Sequence, residues 1–256
     1  MTIADRLAYV RALDLSGIPV QVTEQPAQTD ATDVFDQAKS QAQIVGSGIF
    51  SFAKGVDAGI RTAISDSALL AQLVANKKVD PAKKPLEWFS EYSKVLQNIG
   101  WILQDSQWVD YSTSGTAAEV GAKVIEIVTA AFSPAAGALS IVKSVVDVLA
   151  AMQPDSPWLT LFSKESQRAR IAKFQIGLVE NGPDDDVFVS LVACVVEAKS
   201  DITQVIVFKF RQANATFKAN TNKVSINGQV LSELQPAIRT KIRAFQAEYL
   251  SSIADL

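Results

Sequence analysis

The chain contains serines, lysines, carboxylates and one cysteine, but no histidine, and that absence decides most of the chemistry open to it. Without an imidazole there is no Ser–His or Cys–His nucleophile, no histidine general base and no histidine-bearing zinc site. Two Ser-x-x-Lys runs remain, Ser51–Lys54 and Ser140–Lys143. Neither is accompanied by a Ser-Asp-Asn or a Lys-Thr-Gly, so the spacing reads as chance. Gly115 to Lys123 has the glycines and lysine of a phosphate loop, but Ala122 intrudes before the lysine and no Ser or Thr follows it. Asp184-Asp185-Asp186 lacks the alternating ligand spacing of a calcium loop and reads as a solvated turn. Cys194, the single cysteine, lies among Val192, Val195 and Val196 and is expected to be a buried, inert thiol. Carboxylates are plentiful, yet nothing in their spacing singles out a pair. No catalytic residue, metal ligand or cofactor is expected, and the chain is read as non-enzymatic.

What does stand out is contact chemistry. From Thr116 to Met152 the pattern predicts two apolar helices, 117–132 and 135–152, folded back at Ser133-Pro134. Proline cannot continue the first helix, and Gly137 loosens the corner. In the first arm Val124, Ile127, Val128 and Phe132 lie on one face, and in the second Leu139, Val142, Val146 and Leu149 repeat it. Arms of 16 and 18 residues measure roughly 24 and 27 Å, short of the ~30 Å hydrocarbon core. Lys123, Glu126, Lys143 and Asp147 would each add about 2.5–3.5 kcal/mol at mid-bilayer. A permanently spanning hairpin is therefore not expected. A core hairpin is one reading, and a hairpin held in a soluble form and released into a membrane on a trigger is the other. In the second form the stretch resembles the hydrophobic hairpins of α-helical pore-forming toxins, and the resemblance covers this stretch alone.

Before the hairpin, threes and fours of apolar residues from Asp33 onward predict one long helix. On it a small residue recurs at every fourth position, through Ser51, Gly55, Gly59 and Ala63, making a smooth ridge for close helix packing. Thr2 and Asp5 have the spacing of a capping box for a short first helix. Lys77, Lys78, Lys83 and Lys84 crowd a loop that could meet anionic lipid headgroups. Pro85 suits the first turn of a further helix to about Gln104, rich in aromatics including Trp88, Phe89 and Tyr92.

Gln153-Pro154-Asp155-Ser156-Pro157 is the clearest boundary, dividing residues 1–155 from 156–256. Beyond it, alternation at 172–178 predicts a half-buried strand, 187–198 a central strand and 202–211 a third. A hairpin is expected around Asn220-Thr221-Asn222, and Asn227-Gly228 precedes a last helix. The expected fold is α+β: an N-terminal helical bundle with a central apolar hairpin, then a small antiparallel sheet and a C-terminal helix. The 256 residues carry a net charge of −3, divided as −5 before residue 156 and +2 after it, which argues against nucleic acid as a partner. The opening residues do not form a secretory leader, so synthesis in a cytoplasm and release by a non-classical route are expected. The leading functional expectation is a membrane-active, toxin-like protein that inserts its hairpin, with a lipid surface as partner. The alternative is a non-enzymatic interaction module whose apolar helices pack a bundle or a homo-oligomer interface.

Overall fold

A computed structural model describes residues 1–18, 35–104, 107–113, 117–132, 144, 157–168, 170–198, 202–204, 209–210 and 215–253. The first helix, α1 (Ile3–Ala12), starts at the expected capping box: Thr2 Oγ1 accepts from the Asp5 amide while the Asp5 carboxylate takes the Thr2 N–H.

The long helix expected from Asp33 does not form. Gln41–Val45 is strand β1 and Gly48–Phe52 is strand β2, paired antiparallel so that Val45 lies opposite Gly48. Between them is a two-residue turn whose positive φ falls at its first position, Gly46 (φ +51), as a type II′ hairpin requires. Gln41, Gln43 and Val45 alternate with Ala42 and Ile44, so the same apolar residues serve a period of two. Gly46, which would have weakened a helix, instead makes the turn. Helix α2 (Ala58–Lys78) begins only at Asp57, whose carboxylate caps the Gly59 and Ile60 amides, and every residue from Arg61 to Ala75 is buried. Helix α3 (Pro85–Asn98) starts at Pro85 as predicted but ends before Gln104.

Short strands β3 (Ile102–Leu103) and β4 (Val109–Thr113) precede α4 (Ala117–Phe132), which keeps the bounds expected of the first hairpin arm. Apart from Ser144, the second arm lies outside the described residues, as do Pro134, Leu139, Val142, Val146 and Leu149. Helix α5 (Pro157–Ser166) and strand β5 (Gln167–Arg168) lead to two long strands, β6 (Ile171–Asn181) and β7 (Asp186–Ala198). Among the described residues, strands β8 (Ile202–Gln204) and β9 (Lys209–Phe210) form a separate two-stranded sheet. Residues 215–227, where a hairpin was expected, are one continuous strand, β10 (Ala215–Asn227), and Asn222 lies opposite Leu191 without a turn. Asn227 then caps helix α6 (Gly228–Ile242), and a short helix α7 (Gln246–Tyr249) and strand β11 (Leu250–Ile253) follow.

The centre of the molecule is a mixed sheet, not a helical bundle followed by a small antiparallel sheet. Its main path runs β11–β1–β2–β6–β7–β10–β3, with β4 also on β10 and β5 also on β6. The β2–β6 pair is parallel and the other ladders of this sheet are antiparallel. Strands preceding Pro154 and strands following Pro157 thus share one sheet. Each face carries its own apolar cluster. On one face α1, α2, α3 and α6 pack around Phe50, Phe52, Val189, Leu191 and Val224. On the other, α4 and Phe162 of α5 pack on Ile44, Ile49, Phe174, Ile176, Cys194 and Phe217. Strand β6, expected to be half-buried, is covered on both faces from Ala172 to Val179. A sheet sandwiched between helix layers needs central strands that are apolar, or internally bonded, on both sides.

Candidate functional site

The α4 residues Val124, Ile127, Val128 and Phe132 are 3%, 6%, 1% and 1% exposed and point at the sheet, beside β7 and β10. The outer side of α4 carries Lys123, which pairs with Glu126 at 2.7 Å and lies 5.4 Å from the Tyr111 ring centre. Among the described residues, no α4 side chain belongs to the cluster on the opposite face. Among the described residues, no helix is long and apolar enough to cross a membrane.

The other residues singled out by spacing are dispersed by the fold. Ser51 is buried in β2, Gly55 lies in the following turn with φ +93, and Gly59 and Ala63 belong to α2. Those four therefore form no single helical ridge, and only the part of the row on α2 can meet α3 and α6. The four lysines are each paired with an acid: Lys77 with Asp14, Lys78 with Glu91 at 2.9 Å, Lys83 with Asp80 at 3.2 Å and Lys84 with Glu87 at 2.8 Å. Asp184 and Asp185, with φ +52 and +61, shape the β6–β7 turn, and among the described residues no three acids or thiols gather as a metal site.

Sequence reasoning missed a polar layer buried between the sheet and the helices. Lys173 of β6 is 3% exposed, and its Nζ donates to Ser47 Oγ at 2.9 Å. The Ser47 hydroxyl and amide both donate to Gln72 Oε1, and Gln72 Nε2 donates to the Val45 carbonyl at 2.7 Å. The ammonium also lies 3.6 Å from the centre of the Trp88 ring, which stacks on Tyr92 with an interplanar angle of 9°. Serine and lysine at this distance have the residue types of a Ser–Lys nucleophile pair. Here the hydrogens run the other way, for lysine donates to Oγ and the hydroxyl proton is directed at Gln72. The pair holds the β1–β2 turn to α2 and β6.

Two residues along β6, Gln175 donates through Nε2 to the Tyr92 hydroxyl at 3.0 Å. Burial pushes the Tyr92 phenol well above its ordinary pKa, so it stays protonated. Gln175 and Tyr92 line a cleft of about 370 Å³ between α3 and the strands β6, β7 and β10, whose walls include Phe89, Trp108, Asn220 and Asn222. That volume falls within the range of small-molecule sites. The sequence signal for this region was weak: a lysine and a glutamine in an alternating strand look like its solvent face until helices are placed over them.

The two sides of the sheet carry helix α4 packed in one cluster, an internal polar bracket and a cleft. No protein-family model matches this chain, and no curated protein matches it. Solved structures similar to it include a delta-endotoxin, at a TM-score of 0.37 and 9% identity over 83% of this chain and 90% of that one. The Evf virulence factor is similar at a TM-score of 0.34 and 12% identity, over 80% of this chain and 84% of that one. Both names are those of toxic or virulence proteins, and neither likeness is deep enough to assign a residue of this chain.

Proposed function

We propose that this is a membrane-active protein whose helix α4 leaves the sheet and beds its apolar face in a lipid surface. The observation that carries the reading is the separation of the two cores. The α4 face is buried in the cluster it shares with α5 on one side of the sheet, so its departure would leave α1, α2, α3 and α6, on the other side, packed as before. Val124, Ile127, Val128 and Phe132 at about 1.5–3 kcal/mol each hold α4 down by roughly 6–12 kcal/mol. That is comparable to the stability of a whole domain, so α4 does not leave in water alone. It needs another apolar surface that takes the same side chains. A 16-residue amphipathic helix, with Lys123 and Glu126 on its outer side, suits the plane of an interface better than a span.

Cys194 supplies a built-in reporter. It is the chain's one cysteine and is fully buried on the sheet face that α4 covers. Burial alone pushes its thiol far above the ordinary range, which keeps it unreactive. The test adds neutral phosphatidylcholine vesicles or anionic phosphatidylcholine–phosphatidylglycerol vesicles at pH 7 and pH 5, reading dye release and the rate of thiol modification together. Release accompanied by Cys194 reaction is expected. Release with Cys194 still protected would assign the membrane activity to another element. Neither signal under any condition would sink the proposal and leave α4 as the permanent cover of an interaction module.

A further inference from the structure

The cleft between α3 and the sheet is independent of α4, which packs on the opposite face of the sheet. Three observations define what would fit it. The first is charge. Among its described lining residues Lys94 alone is ionic, and its ammonium is tied at 2.6 Å to Glu91, which Lys78 also takes, so the cleft presents mainly amides, hydroxyls and rings with one tethered cation.

The second is a polar group in need of a partner. Gln175 is fully buried at the floor, its Nε2 is used by Tyr92, and Oε1 has no hydrogen-bond partner among the described residues. Leaving such an atom dry costs about 1–3 kcal/mol. Turning the amide over would let Oε1 accept from Tyr92 and would leave Nε2 wanting instead, so one Gln175 atom beneath the cleft is left without a partner either way. A hydroxyl, which both donates and accepts, satisfies either orientation.

The third is the shape of the aromatic wall. Phe89 and Trp108 touch each other, with ring centres 5.2 Å apart and planes inclined at 49°. No parallel slot opens between them for a flat base. They offer edges and one inclined face, which suits a puckered ring with C–H groups on one side and hydroxyls on its rim. Across the cleft, Asn220 and Asn222 project from the same face of β10, joined by an Asn222 Nδ2 to Asn220 Oδ1 hydrogen bond of 3.2 Å. Paired amides of this kind meet vicinal hydroxyls.

From these features we infer that the cleft binds a neutral saccharide unit. The aromatic wall takes the apolar side of the sugar ring, Gln175 takes a hydroxyl at the floor, and the Asn220–Asn222 pair takes hydroxyls at the rim.

The test is calorimetric titration of the full chain, supported by tryptophan fluorescence, with the methyl glycosides of glucose, galactose, mannose and N-acetylglucosamine. Adenosine serves as a neutral aromatic control. At least one glycoside should bind saturably. Asn220→Ala, a rim change, should weaken that binding about tenfold, the loss of one to two hydrogen bonds, while the unliganded variant stays folded. Trp108→Ala should weaken it further and reduce the fluorescence change. Titration by none of the glycosides, titration by adenosine alone, or binding indifferent to both substitutions would overturn the inference.

Discussion

Replacing Asp66 by asparagine isolates one term in the stability of the helix layer. Asp66 is fully buried in α2, where its Oδ1 accepts from Gln246 Nε2 at 2.9 Å and its Oδ2 has no partner among the described residues. Arg239 of α6 adds an electrostatic pull on it. Burial dominates, pushing the carboxyl from 3.8 up to about 6, against the smaller opposing pulls of Gln246 and Arg239. A shift of roughly two units at ~1.4 kcal/mol each costs the folded protein about 3 kcal/mol at neutral pH. The sign follows from proton binding. Between the two pKa values the folded state holds the proton and the unfolded state does not, so stability rises as pH falls from about 6 toward 3.8. The cost is fully present above about pH 6 and absent below 3.8. The Asp66→Asn variant would carry no such titration. Its unpartnered amide offsets part of the gain, so the slope and not the level is decisive. Denaturant melts at pH 7.5, 6, 5 and 4 should show wild type gaining on D66N by up to about 3 kcal/mol as pH falls. A difference between the two proteins that is constant with pH would refute the reasoning. The same sign means that acid tightens the junction of α2 with the C-terminal helices, so an acid trigger for α4 release would have to act elsewhere.

Three further outcomes follow from packing. Phe132→Ala should cost about 3–5 kcal/mol through the cavity it leaves and accelerate modification of Cys194, while hydrogen-exchange protection in α2 and α3 persists. Arg61→Lys should cost at least about 2 kcal/mol in denaturant melts. A single ammonium cannot reach the Val56, Lys39 and Ala53 carbonyls and Gln41 Oε1 together, nor lie against both Phe35 and Phe52. Gly46→Ala should lower the unfolding midpoint by the equivalent of about 1–3 kcal/mol, because it places a side chain at φ +51 with its Cβ 2.5 Å from Gln72 Oε1.

The sequence alone determined the features that local spacing encodes. The Thr2–Asp5 box, Pro85 at the head of α3, α4 from Ala117 to Phe132, and strands β6 and β7 all lie where capping, proline and periodicity put them. Each depends on residues within a few positions of one another. Residues 41–52 went the other way: their small and apolar residues satisfy periods of both four and two, and only pairing of β2 with β6, more than a hundred residues later, selects the strand. The same remoteness hid the polar layer. Lys173 and Gln175 alternate with apolar neighbours as a solvent face would, and their burial comes from Trp88 and Tyr92 of α3 lying over them. Asn220-Thr221-Asn222 has the composition of a turn, but β7 on one side, with β3 and β4 on the other, holds β10 extended through it. A chain can specify its caps and periods locally. Which face of a strand is wet, and which helix can be lifted away, depends on the layers that tertiary packing stacks against it.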